Sequence, residues 1–198
     1  TDIDAQLLRD EHEAVLLAMG AAKPRDLQVP GRDKQGIVYA LDFLKTAEAE
    51  PAPTRDEGQY VTCKDKVVAV IGGGLTGEDC VEAAIKQGAK EVHQLEILPK
   101  HQTAAATLLG KLPEGVTHHW SVATKEFVSN GRDQKLGGIK TVRMQYTPSA
   151  AGPVAAEQPH SEFDLPADVA VLAMGFEPVV EPALAEQLGL ARDAAGRL

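Results

Sequence analysis

Hydrophobic positions along the chain change their spacing several times, and each change marks an element. Residues 3 to 12 are polar and amphipathic. Ala14-Val15-Leu16-Leu17-Ala18 is then an apolar run closing on Met19-Gly20, which reads as a buried strand. Pro24, Pro30 and Gly31 break regular structure, after which Ile37 to Ala47 carries Tyr39, Leu41 and Leu44 in a short helical pattern. Residues 50 to 60, rich in proline and charge, read as a linker. From Lys66 the texture shifts. Val67-Val68-Ala69-Val70-Ile71 is a continuous, largely β-branched run, as expected of a strand covered on both faces in a parallel sheet. A glycine-rich turn follows at once. The pattern then predicts a helix over Thr76 to Gln87, with Cys80, Val81, Ala84 and Ile85 on one face and Gly88 at its C-terminal end. A second strand, Val92 to Leu98, completes a unit of about 30 residues, the usual length of a βαβ motif.

Beyond Pro99, residues Thr103 to Leu112 have a helical pattern and Val116 to Val122 reads as a third strand. Alternation takes over in Thr124 to Val128 and Ile139 to Tyr146, joined across Asn130-Gly131-Arg132-Asp133, which predicts an antiparallel excursion. Residues 148 to 160 read as a Pro/Ala/Gly-rich loop. Asp168 leads into Val169-Ala170-Val171-Leu172-Ala173, and a short helix is expected near Pro182 to Leu188. The tetrapeptides Leu17-Ala18-Met19-Gly20 and Leu172-Ala173-Met174-Gly175 are identical, and each closes an apolar run. The fold class predicted is α/β: a three-layer, Rossmann-like dinucleotide-binding domain with a parallel sheet and an antiparallel β-excursion.

Composition narrows the function. The formal net charge is −9, without a basic block, which argues against nucleic acid or an anionic membrane surface as partner. The absence of a long apolar run or a signal-peptide core makes a cytoplasmic protein the expectation. Cys63 and Cys80 are too few and too far apart for an iron–sulfur cluster or a thiolate zinc site, and they read as reduced thiols, with Cys80 facing the core. His118 and His119 would point to opposite faces of a strand, so they cannot chelate one metal together. No metal site and no catalytic acid, base or nucleophile is assigned.

The residues Gly72-Gly73-Gly74-Leu75-Thr76-Gly77 fit G-x-G-x-x-G between a strand and a helix. Gly72 permits the tight turn, Gly74 lets backbone approach a pyrophosphate, and Gly77 lets helix and strand pack closely. The N–H groups of Gly74, Leu75 and Thr76, together with the positive end of the helix dipole, make an anion site. No Lys-Ser/Thr follows, which excludes a Walker-type loop. Glu78 and Asp79 lie in the first turn of the helix and must face away from a phosphate or pair with something. A carboxylate at the end of the second strand suits a ribose 2′-hydroxyl, whereas a cation suits a 2′-phosphate. Glu96 lies 24 positions after Gly72 and Lys100 follows closely, so spacing alone does not choose between NAD and NADP.

Val-Ile-Gly-Gly-Gly-Leu-Thr-Gly-Glu-Asp-Cys at 70 to 80, Gln-Gly-Ala-Lys at 87 to 90 and Gln-Leu-Glu-Ile-Leu-Pro-Lys at 94 to 100 resemble the NADPH domain of the glutamate synthase small (beta) subunit family. Pro-Gly-Arg at 30 to 32, Ala-Leu-Asp-Phe-Leu at 40 to 44, Trp-Ser-Val-Ala-Thr-Lys-Glu-Phe at 120 to 127, Leu-Pro-Ala-Asp at 165 to 168 and Leu-Ala-Met-Gly-Phe at 172 to 176 extend the resemblance over nearly the whole chain. In that family, and in the related N-terminal half of dihydropyrimidine dehydrogenase, a nicotinamide domain is inserted into an FAD domain.

The resemblance implies an NADP(H)-binding, electron-input domain that presents nicotinamide for hydride transfer to FAD, in a fragment inactive by itself. FAD is expected in the parent protein but not in this chain. The implied partners are the FAD-binding domain of the same parent chain and the glutamate synthase large subunit. Residues 1–60 would then be a crossover strand and linker from the FAD domain, 61–176 the NADP(H)-binding domain, and 177–198 the return segment. The two Ala-Met-Gly runs would be the crossings between domains, which adds Met174 and Gly175 to the cofactor-binding residues Gly72 to Gly77, Glu96 and Lys100. The usual Pro/Arg-rich loop after the second strand is replaced at residues 101 to 118, leaving Lys100 as the best cation for a 2′-phosphate. The same module in a ferredoxin-linked NADP oxidoreductase, or as a non-catalytic dinucleotide-binding or interaction module, is the alternative.

Overall fold

The computed structural model describes residues 4–21, 23–47, 61–102, 115–131, 134–150, 152–177 and 181–194. In chain order its elements are α1 (Ala5–Glu11), β1 (Lys23–Pro24), β2 (Ile37–Tyr39), α2 (Ala40–Ala47), β3 (Val67–Ile71), α3 (Leu75–Lys86), β4 (Glu91–Glu96), β5 (Val116–Trp120), β6 (Val122–Ser129), β7 (Leu136–Thr147), β8 (Val154–Glu157), β9 (Phe163–Pro166), β10 (Val169–Leu172), β11 (Phe176–Glu177) and α4 (Pro182–Gln187). A single 3-10 turn, Lys100–Gln102, follows β4. No helix among the described residues is long and apolar enough to cross a membrane.

The chain divides into two units, Asp26–Gly175 and Thr1–Arg25 with Phe176–Leu198. The larger holds a five-stranded parallel sheet in the order β2-β10-β3-β4-β5. Because successive side chains on a strand point to opposite faces, the sheet supplies two cores. Val38, Val68, Val70, Val92, Val169 and Val171 face the helices and pack with Phe43 of α2 and Cys80, Val81 and Ala84 of α3. Ile37, Ala69, Ile71, Leu95, Ala170 and Leu172 face the other way, onto Val122, Phe127, Leu136, Ile139 and Leu165 of the antiparallel sheet. Helices, parallel sheet and antiparallel sheet form the three layers expected. Burial on both faces explains why β3 and β10 read as unbroken apolar runs.

The antiparallel layer is β6-β7-β8, with β9 also paired to β7. Residues 148 to 160 are therefore not loop throughout. Val154–Glu157 pairs with Met144–Thr147, and its side chains are all exposed, so it lacks the apolar alternation by which a strand is read. Lys125 and Glu157 form an ion pair across this layer.

Two other expectations are corrected. Ile37–Tyr39 opens the predicted helix as a strand, because β-branched and aromatic residues there meet Ala170–Leu172 in register; the helix is confined to Ala40–Ala47. With β2 in the sheet, the larger unit takes in Asp26 to Gly175. Ala14 to Ala18 form no strand. Leu16 is 90% exposed and Val15 38%, since an apolar run becomes a strand only where a neighbour completes its hydrogen-bond ladder. The predicted helix at Thr103 to Leu112 and the linker at 50 to 60 lie outside the described residues.

In the smaller unit, α1 is capped by Asp4, whose carboxylate accepts from the Gln6 N–H at 2.9 Å. Lys23 and Pro24 pair antiparallel with Glu177 and Phe176, reinforced by a Lys23–Glu177 ion pair at 2.5 Å.

Both cysteines are fully buried free thiols in the helix-side core. Burial pushes Cys63 up to about 11 against a smaller opposing pull from Lys66; burial, with Asp79 and Cys63 adding to it, pushes Cys80 up to about 12. Because the thiolate is the nucleophile, neither thiol should react with an aromatic disulfide reagent at about pH 8 in the native protein, and both should react at once in urea. Fast native titration of one thiol per chain would contradict this burial.

Candidate nucleotide-binding site

The site lies where β3 ends and α3 begins, beside the C-terminal ends of β4 and β10. Ile71 accepts from the Ala173 N–H at 2.8 Å, and the Gly72 N–H donates to Leu95 O at 2.8 Å, so the turn is tied to both neighbouring strands. Gly72 has φ +124°, and a Cβ there would stand 2.2 Å from Ala173 O. Gly77, in the first turn of the helix, would place a Cβ 2.3 Å from Gly72 O. Glycine at both positions lets helix, turn and strand approach this closely.

Gly74 differs from both. It is the N-cap of α3, extended at φ −86°, ψ −179°, and no side chain caps it. A Cβ there would meet nothing within 4 Å. The first N–H groups of an α-helix have no intrahelical acceptor, so the positive end of α3 opens onto free space beside bare backbone. That cradle fits a diphosphate.

Acidic groups surround the turn, and the structure shows where they go. Glu96, 9% exposed, accepts from the Gly73 N–H at 2.5 Å through Oε2 and from the Leu98 N–H at 2.8 Å through Oε1. It braces the turn while standing at the strand end. Asp79 is exposed. Glu78 turns inward, 4% exposed, and accepts at 3.0 Å from Nε2 of Gln94, which also donates to Gly72 O at 3.3 Å. Of the two arrangements open to Glu78, pairing is the one adopted. Sequence reasoning missed Gln94: it is a polar residue inside an apolar strand, 1% exposed, and its only sequence signal is that interruption.

Leu75 is exposed and Thr76 half-buried in the first turn of α3. Lys100 lies exposed in the 3-10 turn that follows β4. Met174 is half-buried against the sheet, and its N would be 3.2 Å from a Cβ on Gly72, which puts it against the turn. Gly175 follows with φ +81° at the end of the larger unit. The turn residues, Glu96 and Met174 are thus brought together, while Lys100 stands beyond the strand end.

The histidines of β5 point to opposite faces, as strand geometry requires. His118 stacks on Trp120 at 5.4 Å, whereas His119 Nε2 lies 3.3 Å from His93 Nδ1 and against Phe163. Burial, and then the neighbouring charges of His93, Arg143 and His118, lower the His119 pKa. Among the described residues no group of three or more metal-ligating side chains converges.

The family model for pyridine nucleotide-disulphide oxidoreductases matches residues 4–198. The chain belongs to this family. It is 33% identical over 213 residues to the glutamate synthase [NADPH] small chain of Bacillus subtilis, covering 96% of this chain and 42% of that protein. It is 35% identical over 213 residues to the glutamate synthase [NADH] of Schizosaccharomyces pombe, covering 98% of this chain and 10% of that protein. The chain therefore spans about two-fifths of the bacterial small chain that it matches and a much smaller part of the yeast protein. In fold it is similar to Mycobacterium tuberculosis FprA in complex with NADPH, with TM-score 0.65 and 18% identity, over 96% of this chain and 54% of that one. Thioredoxin reductase from T. acidophilum superposes with TM-score 0.57 and 17% identity, over 88% of this chain and 47% of that one. The chain has the Rossmann-like α/β fold of these neighbours.

Proposed function

We propose that Asp26–Gly175 is an NADP(H)-binding, electron-input module of a glutamate-synthase-like flavoprotein. The observation that carries the reading is Gly74: an uncapped helix N-terminus with open space at the one glycine of the turn whose missing side chain nothing in the fold requires. The diphosphate lies against the N–H groups of Gly74, Leu75 and Thr76, with Gly72, Gly73 and Gly77 holding the turn. Glu96 meets the adenosine ribose, Lys100 the 2′-phosphate, and Met174 and Gly175 border the nicotinamide half beyond β10. When bound, the nicotinamide supplies a hydride to flavin; the residues of this chain bind and orient it and need contribute no proton.

The FAD belongs to a partner domain, with Thr1–Arg25 and Phe176–Leu198 as the crossings towards it. The large subunit of glutamate synthase is the proposed recipient of the electrons. The NADPH named for the Bacillus subtilis small chain and the cation at position 100 favour NADP over NAD.

Side-by-side titration of the chain with NADPH, NADH and FAD tests this. NADPH is expected to bind about tenfold more tightly than NADH, the worth of one charge-assisted phosphate contact, and FAD not to bind. Lys100→Gln should erase the preference while leaving NADH affinity unchanged. Preference for NADH removes Lys100 from the site, and failure of both nucleotides at millimolar concentration ends the nucleotide reading.

A further inference from the structure

We infer that Glu78 is an internal counter-anion, competing with the nucleotide's diphosphate for the positive end of α3 and so holding down the affinity of the site. The inference rests on the reading of the glycine turn as a diphosphate cradle and adds what sets its strength. Glu78 sits in the first turn of α3, yet it is 4% exposed, while its neighbour Asp79 is exposed. Its Oε1 accepts from Gln94 Nε2 at 3.0 Å. Its Oε2 is buried and accepts no hydrogen bond among the described residues. A buried carboxylate oxygen without a donor is costly, and the nearest compensation available to it is the field of the helix it belongs to.

That field is the same resource on which an anion bound at Gly74 draws. Two anions sharing one helix end repel each other, and the repulsion is weakly screened because Glu78 is out of the solvent. Gln94 links the two physically. Its amide nitrogen is shared between Glu78 Oε1 and Gly72 O at 3.3 Å, so the carboxylate is fastened to the turn that must receive the phosphates. Among the described residues no positive charge pairs with it. Glu96 of β4 adds a second carboxylate on Gly73 N, the β3 and β10 residues facing α3 are apolar, and Asp42 and Lys45 of α2 are exposed. The consequence is a site tuned for release, in which a glycine turn of the ordinary geometry binds nucleotide less tightly than its backbone allows.

Glu78→Gln preserves the side-chain volume and the oxygen that accepts from Gln94 but removes the charge. It is expected to bind NADPH about tenfold more tightly than the parent protein, within the range of charge effects at helix ends. Asp79→Asn, in the same turn but exposed to solvent, should change affinity by less than about twofold. Equal or weaker binding by Glu78→Gln overturns the inference, as does equal tightening by Asp79→Asn, which would make the effect one of net charge. If Glu78→Gln fails to fold, Glu78→Met serves as the neutral variant of similar length, with the same expected direction. The inference and the nucleotide reading fail separately. Should no form bind NADPH, inorganic pyrophosphate remains the probe: a larger rise in thermal midpoint for the neutral variant sustains the counter-anion, and no rise in either form overturns it too.

Discussion

Replacing Gly74 with valine should leave the chain folded and reduce NADPH affinity by about 100-fold, or about 2.7 kcal/mol. Both effects follow from one feature of the turn. A Cβ on Gly74 meets nothing within 4 Å, and the backbone there is extended, so any L-residue is sterically admissible. The fold loses only N-cap quality, about 1 kcal/mol for an apolar residue at that position. The ligand loses its seat, because the isopropyl group fills the space through which a diphosphate reaches the first N–H groups of α3. Gly74→Ser sharpens the test by giving the two effects opposite signs. A serine hydroxyl is a good N-cap acceptor, so the thermal midpoint should hold or rise while affinity falls, since the side chain takes an N–H that the phosphate needs. Calorimetric titration paired with thermal melts measures both. Undiminished NADPH binding by the valine variant would remove the glycine turn from the site.

The same turn shows which parts of the fold were legible from sequence. Val67 to Ile71, the glycines and the apolar face of α3 are contiguous, and every force that defines them acts within a few residues: β-branched burial, a turn needing φ > 0, a helix start. They could be read directly. The strand Ile37–Tyr39 could not, because three residues ahead of a helix become a strand only through the ladder with Ala170–Leu172, far downstream. Val154–Glu157 was hidden for the opposite reason: it is held by backbone pairing with β7 and buries none of its side chains. Ala14 to Ala18 show the converse error, an apolar run with no strand to pair it in the described residues. In the site, the sequence marks Glu78 as awkward beside a phosphate, but its solution, Gln94, lies on β4 and makes a contact that no local pattern announces.

Gly72→Ala is the second large expected effect, and it falls on stability. Position 72 has φ +124°, a region that L-residues adopt at a cost of about 1–3 kcal/mol. A methyl group there would also stand 2.2 Å from Ala173 O and 2.7 Å from its carbonyl carbon, both backbone atoms. Relief cannot come from a rotamer change. It requires β3 and β10 to part where the Ala173 N–H donates to Ile71 O at 2.8 Å, and it disturbs the neighbouring bond from the Gly72 N–H to Leu95 O of β4, also 2.8 Å. Strain and lost pairing together should lower the unfolding free energy by about 3–5 kcal/mol, with a fall of about 10 °C or more in thermal midpoint for a chain of this size. Urea denaturation measures the loss, and a change below about 1 kcal/mol would mean that the turn is not held as described. Gly77→Ala meets a similar barrier, a Cβ 2.3 Å from Gly72 O, but it sits in a helix that can shift along its axis, so a smaller loss is expected. The order Gly72, Gly77, Gly74 in stability, against a binding loss at Gly74 that needs no unfolding, separates the two things the turn does: it joins a helix to two strands, and at one position only it leaves room for something else.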